Sequence, residues 1–561
     1  MKTSKRVLVL VLLLAGFLRL WRLNEVPVSL FGDELDVGYQ AYSMLMTGRD
    51  YYGNFMPLHF HSLAEWRTPL YLYSAVPTVA IFGVSPWGVR LPAAIFGILG
   101  VWAFYLLIKE LFENEKLALI SVFVMAISPW HIQYSRAAFE VTQLLFFLIL
   151  GLFLFLKALK NGKWLWLSAF CFSLTPWIYS TAKLFTPMLL VFLVIAWWEK
   201  VFLLKRKYLV QSVATFLVVG GPMVYSVLFG GAAQRFGYVS VFTNPSTEHE
   251  VGVVRLNDAQ MRGELGTGVS PRLDDRVLHN KYIYWGENLV SNYFRAFSAE
   301  FLFISGDPNL RHSIKGMGQF YRVEALVLIL GVIWFFMSKV RRKEKLLVVF
   351  WVLAGAVPAV ITRDGGNHAT RLILILPPLV ILIAYGISRL NKFWLFVFGA
   401  MLMVNFGFYE HDYWVHNPWN SERWWHSGFR EAISEIKAVE NDYDRIIVST
   451  ASEPPWIFFA AWYEYPPKKW QAGFPIGNDI DLPGFGKVSH IDKFYFGSPG
   501  VGLYEMGKVL DSKTLYMASE KEVNVNLIAE PERLPGDLVL VKAIAYPSGE
   551  PVFYIFTGVG E

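Results

Sequence analysis

The chain has 561 residues, 54% of them hydrophobic and 17% aromatic, with a mean hydropathy of +0.38. So apolar a composition excludes a soluble globular protein and points to a polytopic membrane protein. The net charge of +6 sits in short loops between apolar segments, which argues against a nucleic-acid partner, and the single cysteine, Cys171, excludes an intramolecular disulfide or a thiolate metal cluster.

Lys2, Lys5 and Arg6 precede an apolar run from Val7 to Leu23, which reads as a retained helix with its N-terminus cytoplasmic and with Arg19 and Arg22 snorkelling at its far end. The carboxylate-rich stretch Phe31–Asp36 follows. Further apolar runs cover residues 91–108, 117–130, 139–156, 164–179, 184–198, 208–229, 323–337, 346–361, 372–387 and 393–409, about eleven spans with the first. Residues 69–83 are also apolar and could span in place of 117–130. Their aromatic residues, prolines and glycine suit a juxtamembrane helix.

Basic residues cluster at Lys157–Lys163, Lys200–Lys207, Lys339–Lys345 and Arg389–Lys392, all on one side of this arrangement, which the positive-inside rule makes cytoplasmic. The outer side then receives a first loop (24–90), a long loop (230–322) and the tail from residue 410. In that tail, 429–439 and 454–463 read as helices, 445–450 as a strand, and 538–545 with 552–557 as a hairpin. The chain therefore divides into a membrane domain, 1–409, and an extracytoplasmic α/β domain, 410–561.

Asp33, Glu34 and Asp36 stand at a membrane edge, where ionised groups are costly unless they face water, a cation or a substrate. They could cap and charge the helix that starts here. Asp33 and Asp36, three apart, could share a divalent metal, or one carboxylate could act as a general base. On the same outer side lie Arg67, Arg136, Lys183, Arg235, Arg311, His312, His368 and Arg371. Each could be an interfacial anchor. As a set they suit a lipid phosphate whose tail lies in hydrocarbon. His59 and His61 have no third zinc ligand at a recognisable spacing, and no phosphate-binding or dinucleotide glycine motif is present.

The blocks Asp33-Glu34, Tyr39, Ala41-Tyr42, Gly48-Arg49-Asp50, Arg67-Thr68-Pro69-Leu70-Tyr71, Phe82-Gly83 and Val89-Arg90-Leu91-Pro92 together resemble the first outer loop of glycosyltransferase family 39, which contains protein O-mannosyltransferases and lipid A aminoarabinose transferases. Ser128–His131, Tyr134–Arg136, Phe301–Phe303, Gly306–Ser313 and His368–Arg371 extend the resemblance, which covers residues 7–409.

The resemblance implies a type C glycosyltransferase fold in the plasma (inner) membrane. It implies a polyprenyl-phosphate sugar as donor, a lipid, protein or polysaccharide as acceptor, membrane lipids as neighbours, and no divalent metal or other cofactor. Asp33 is then the catalytic base and Glu34 its acidic neighbour. Arg136 matches a cation associated with the donor phosphate, and Arg67 stands where many relatives have lysine. Two alternatives remain at this level. One is a metal-dependent oligosaccharyltransferase-like enzyme, although Trp424-Trp425 is followed by His426 where that signature has aspartate. The other is a lipid-linked sugar transporter or flippase, disfavoured because the charges gather on one face instead of lying mid-helix.

Overall fold

The computed structural model describes residues 2–62, 65–229, 234–264, 270–474, 476–477 and 480–559; the Arg235 side chain lies outside the described residues. The chain begins with helices α1 (Lys2–Leu20), α2 (Gly32–Thr47), α3 (Pro69–Phe82), α4 (Pro86–Phe112), α5 (Glu115–Ile127), α6 (Pro129–Ser135) and α7 (Val141–Lys160). Local sequence sets several of these boundaries. Ser85 caps α4 by accepting from the Gly88 amide, with Pro86 opening the helix, and Asn114 caps α5 by accepting from Leu117.

Among the described residues, five helical stretches are long and apolar enough to cross a membrane: Pro86–Phe112, Val141–Lys160, Arg206–Phe229, Ala369–Arg389 and Lys392–Asn420. This is an integral membrane protein. The expected run 117–130 is broken at Ser128-Pro129, where proline lacks an amide for the ladder, and the chain bends by 59° between α5 and α6. Counted as one span, this pair makes a sixth. Pro69–Phe82, Ala182–Ala196 and Glu324–Met337 are shorter apolar helices.

The broken pair and α3 have different surroundings. The buried face of α5 joins the large apolar cluster of the helical body, whereas Tyr71, Leu72, Ala75 and Val79 of α3 share a cluster with Phe429, Phe459 and Trp470 of the tail. Arg19 departs from its expected snorkelling position. It is fully buried, donates to Ala15 O and Ala126 O at 3.0 Å each, and meets His131 Nδ1 at 2.6 Å. Its guanidinium thus satisfies the Ala126 carbonyl that the end of α5 leaves open, as well as a carbonyl of its own helix.

The basic loops converge at one end of the bundle. Lys160 pairs with Glu110 at 2.7 Å, Lys343 with Glu199 at 3.7 Å and Arg341 with Glu113 at 3.5 Å, and this last pair lines a polar cavity of about 600 Å³ together with Lys116, Lys339 and Arg389.

A short hairpin, β1 (Phe60–Ser62) with β2 (Glu65–Arg67), precedes α3. The tail carries a seven-stranded mixed sheet of β3 (Arg445–Val448), β4 (Ile480–Leu482), β5 (Gly486–Ile491), β6 (Phe494–Phe496), β7 (Thr514–Ser519), β8 (Leu538–Ala545) and β9 (Pro551–Gly558), in the order β4-β5-β6-β3-β7-β9-β8. Strand β3 runs parallel to β6 and β7, and the other pairs are antiparallel.

The membrane helix continues through residue 410 as far as Asn420, and Tyr413 and Trp425 pack with the helical body, so the sheet-bearing part starts at Phe429. It does not bury its core alone. One sheet face has its own apolar cluster, but the other shares one with α2 and α3, where Tyr39 meets Trp470 and Tyr51 meets Trp456 at ring distances of 5.8 Å each. Domain and first loop form a common aromatic interface.

Candidate active site

Helix α2 starts after Phe31, so Asp33 lies in its first turn beside the positive end of the helix dipole. The Asp33 side chain is 52% exposed and is held from one side by Arg67, at 2.6 Å to its carboxylate, with a further bond of 3.2 Å to its carbonyl. Arg67 ends the β1–β2 hairpin and is nearly buried. Its Nε lies 3.6 Å from Asp36, so one guanidinium occupies the space between the two carboxylates where a shared metal would have to sit.

Asp36 is fully buried and accepts a 2.8 Å bond from Tyr51. Burial pushes its carboxyl up to about 6, against the pull of Arg67. The folded state therefore holds this proton more tightly than the unfolded chain. The stability from that proton is complete below about pH 4 and is lost as pH rises through about 6. Asp36→Asn is expected to flatten the fall in thermal stability between these pH values, by about 1 kcal/mol per pH unit at most. Unchanged unfolding curves across that window would refute the assignment.

The Glu34 carboxylate does not lie beside that of Asp33 in this structure. It turns to a different face of the helix, is fully buried, and forms a two-pronged ion pair with Arg90 at 2.8 Å for each contact, while also accepting from the Ala138 amide at 2.8 Å. Arg90 in turn donates to Pro27 O and Ser29 O, so the pair ties α4 to the chain leading into α2.

Arg136 is likewise not placed to hold a donor phosphate. It is fully buried, donating to Leu18 O, Arg22 O and Val26 O and to Tyr413 Oη, with Trp414 stacked at 4.6 Å. These bonds occupy its guanidinium in a joint between α1, α6 and the helix ending at Asn420.

The remaining predicted cations converge. Arg311 lies over the ring of Phe31 at 4.7 Å, two residues before Asp33. Lys183 and Arg371 line an otherwise largely apolar cavity of about 320 Å³, together with Tyr179, Leu184, Phe236 and Ile361. Thr68, next to Arg67, donates to Ile178 O at 2.6 Å, and Ile178 precedes Tyr179 of the cavity wall, so one hydrogen bond links the segment bearing Arg67 to the segment bearing that wall. His312 and His368 face each other with ring centres 5.1 Å apart.

The tail contributes residues that the sequence offered only as a departure from the oligosaccharyltransferase signature. Trp425 packs edge-on against Phe31 at 5.3 Å and lies under Arg90, Trp424 comes within 6.0 Å of Arg311, and His426 is 3.6 Å from Glu453. Burial and the neighbouring Arg311 pull the His426 imidazole down to about 4, so it is neutral near pH 7. The paired tryptophans were the visible signal. Their partners were not, since they lie hundreds of residues away.

Residues 67–225 match the family of dolichyl-phosphate-mannose-protein mannosyltransferases. The resemblance read from the sequence holds. A Bacillus subtilis protein named as a mannosyltransferase, YkcB, is 32% identical over 166 residues, covering 29% of this chain and 22% of that protein. Dolichyl-phosphooligosaccharide-protein glycotransferase 2 of Pyrococcus horikoshii is 38% identical over 111 residues, covering 19% and 14%. The chain thus aligns with less than a quarter of the length of these relatives. ArnT of Cupriavidus metallidurans, solved with undecaprenyl phosphate bound, matches at a TM-score of 0.51 and 12% identity over 99% of this chain and 97% of its own. That likeness establishes a shared type C glycosyltransferase fold.

Proposed function

We propose that this protein is an inverting glycosyltransferase that moves a sugar from a polyprenyl-phosphate donor to an acceptor hydroxyl at the extracytoplasmic face of the plasma membrane. The N-terminus is cytoplasmic in this reading, and the sheet-bearing tail lies outside. The observation that carries it is a pair of features linked through the Thr68–Ile178 bond: a half-exposed carboxylate, Asp33, held by Arg67, and an apolar cavity lined by two cations, Lys183 and Arg371. A prenyl chain suits the apolar wall, and a phosphate suits the cations. The family match and the ArnT fold support the same chemistry.

In the reaction, Asp33 takes the proton of the acceptor hydroxyl as its oxygen attacks the anomeric carbon. The bond from that carbon to the phosphate oxygen breaks on the opposite face, and polyprenyl phosphate departs with the electron pair. Because a phosphate is already a good leaving group, the protein's task is to deprotonate the nucleophile and neutralise the departing charge. Arg67 holds the Asp33 carboxylate in place, while Arg311 adds positive potential beside it. The acceptor is a lipid, protein or polysaccharide hydroxyl.

Lys183→Ala or Arg371→Ala is expected to raise KM for the lipid donor about 10- to 100-fold, the worth of a charge-assisted hydrogen bond. Labelled-sugar transfer by purified protein at varied donor concentration measures this. An unchanged KM in both variants would remove the phosphate from this cavity.

A further inference from the structure

Asp307, His312 and His368 bring one donor atom each to within 4.8 Å of one another. We infer that these three side chains form a binding site for a single zinc-type divalent cation, separate from the Asp33 carboxylate. The two-histidine, one-carboxylate set is a donor combination that zinc accepts, with a fourth position left for a small oxygen ligand. Closing on zinc at about 2.0–2.2 Å brings tetrahedral donors to about 3.4 Å spacing, a contraction that side-chain rotation supplies.

The surroundings are built as a ligand shell. Asp307 is buried, and its two carboxylate oxygens are fixed by the amides of Asn309 and Ala369 at 2.9 and 2.8 Å, leaving a further lone pair on each. The turn that delivers it needs Gly306, whose φ of +72° is left-handed and whose missing Cβ would fall 2.7 Å from Met317 O. His312 is nearly buried, with Nδ1 3.3 Å from the Thr370 hydroxyl, which in turn meets Tyr134 Oη at 2.7 Å. A proton on Nδ1 directed at Thr370 leaves Nε2 as the basic nitrogen, the way metal-bound histidines are oriented.

The site's position suggests its use. His312 directly follows Arg311, which overlies Phe31, and His368 precedes by three residues Arg371, which lines the cation-bearing cavity. A cation here cross-links the long outer loop to the turn before residue 369, and holds both arginines in place. It is a positioning element. The resemblance to family 39 implied no divalent metal, and this inference departs from that expectation. It does not depend on the transferase reading, because metal content is measured without substrate.

The test uses the full-length protein purified without chelator, with metal analysis by mass spectrometry and with cobalt(II) exchanged into chelator-stripped protein. The expected result is about one zinc per chain and visible absorption typical of tetrahedral cobalt with nitrogen ligands. Asp307→Asn, His312→Gln and His368→Gln should each lose the metal and the cobalt spectrum while still eluting as monodisperse protein. Thr370→Val, which leaves all three ligands in place, should weaken affinity about 10- to 100-fold. Failure of the wild type to take up zinc or cobalt would overturn the proposal, and so would variants that keep the metal. In either case the three residues are a metal-free hydrogen-bonded cluster. Should the ligand variants fail to fold, the Thr370→Val affinity and the cobalt spectrum of the wild type still decide it.

Discussion

Replacing Asp33 by Asn is expected to lower turnover by about 10²- to 10⁴-fold, the usual contribution of a positioned general base, while leaving the fold intact. The side chain is half-exposed and paired with Arg67, so losing the charge costs about 1 kcal/mol or less of stability once solvent screening is counted. Arg67 keeps a second carboxylate within reach in Asp36. The measurement is single-turnover transfer from a purified lipid donor, alongside thermal unfolding in the same detergent. Full activity in Asp33→Asn would eliminate base catalysis by this residue, whatever the melting temperature.

Glu34, one residue away, is expected to behave in the opposite manner. Both it and Arg90 are fully buried, so removing either partner strands the other charge inside the protein, at a cost of about 3–5 kcal/mol. Glu34→Gln and Arg90→Met should each depress folded yield and melting temperature strongly. The double variant Glu34→Met/Arg90→Met should be less damaged than the sum of the two singles, because no unpaired charge remains. Thermal unfolding of the four proteins closes this cycle. If Glu34→Gln melts like the wild type yet loses transfer activity, Glu34 belongs to the chemistry and the structural assignment made here is wrong.

Neighbouring carboxylates thus have separate tasks, and the division comes from helical geometry. Successive residues of α2 are about 100° apart, so Glu34 turns away from Asp33 to meet Arg90, whereas Asp36, three residues on, returns to within about 60° of Asp33 and shares Arg67 with it from a buried position. A linear reading places three acids at a membrane edge but does not say which of them meets an arginine. Arg136 and Arg371 carry the same lesson. Both sit at ends of apolar runs, yet one is consumed by three backbone carbonyls and the other lines a cavity.

Apolar runs, basic loops and the strands and helices at 429–463 and 538–558 were legible in the residues themselves, because hydrophobic burial and backbone propensity act over short windows. So were Asp33 and the outer-side cations as candidates. Four short strands of the sheet, β4 to β7, were not singled out, nor was the aromatic interface that joins the tail to α2 and α3. The Asp307–His312–His368 cluster was equally hidden, since 56 residues separate its histidines in sequence. Partner choice across such distances depends on which faces the packed helices present to each other. That is a property of the assembled tertiary structure, and it decided that Glu34 and Arg136 are buried among partners, that Asp33 stays half-exposed beside Arg67, and that Lys183 and Arg371 line a cavity.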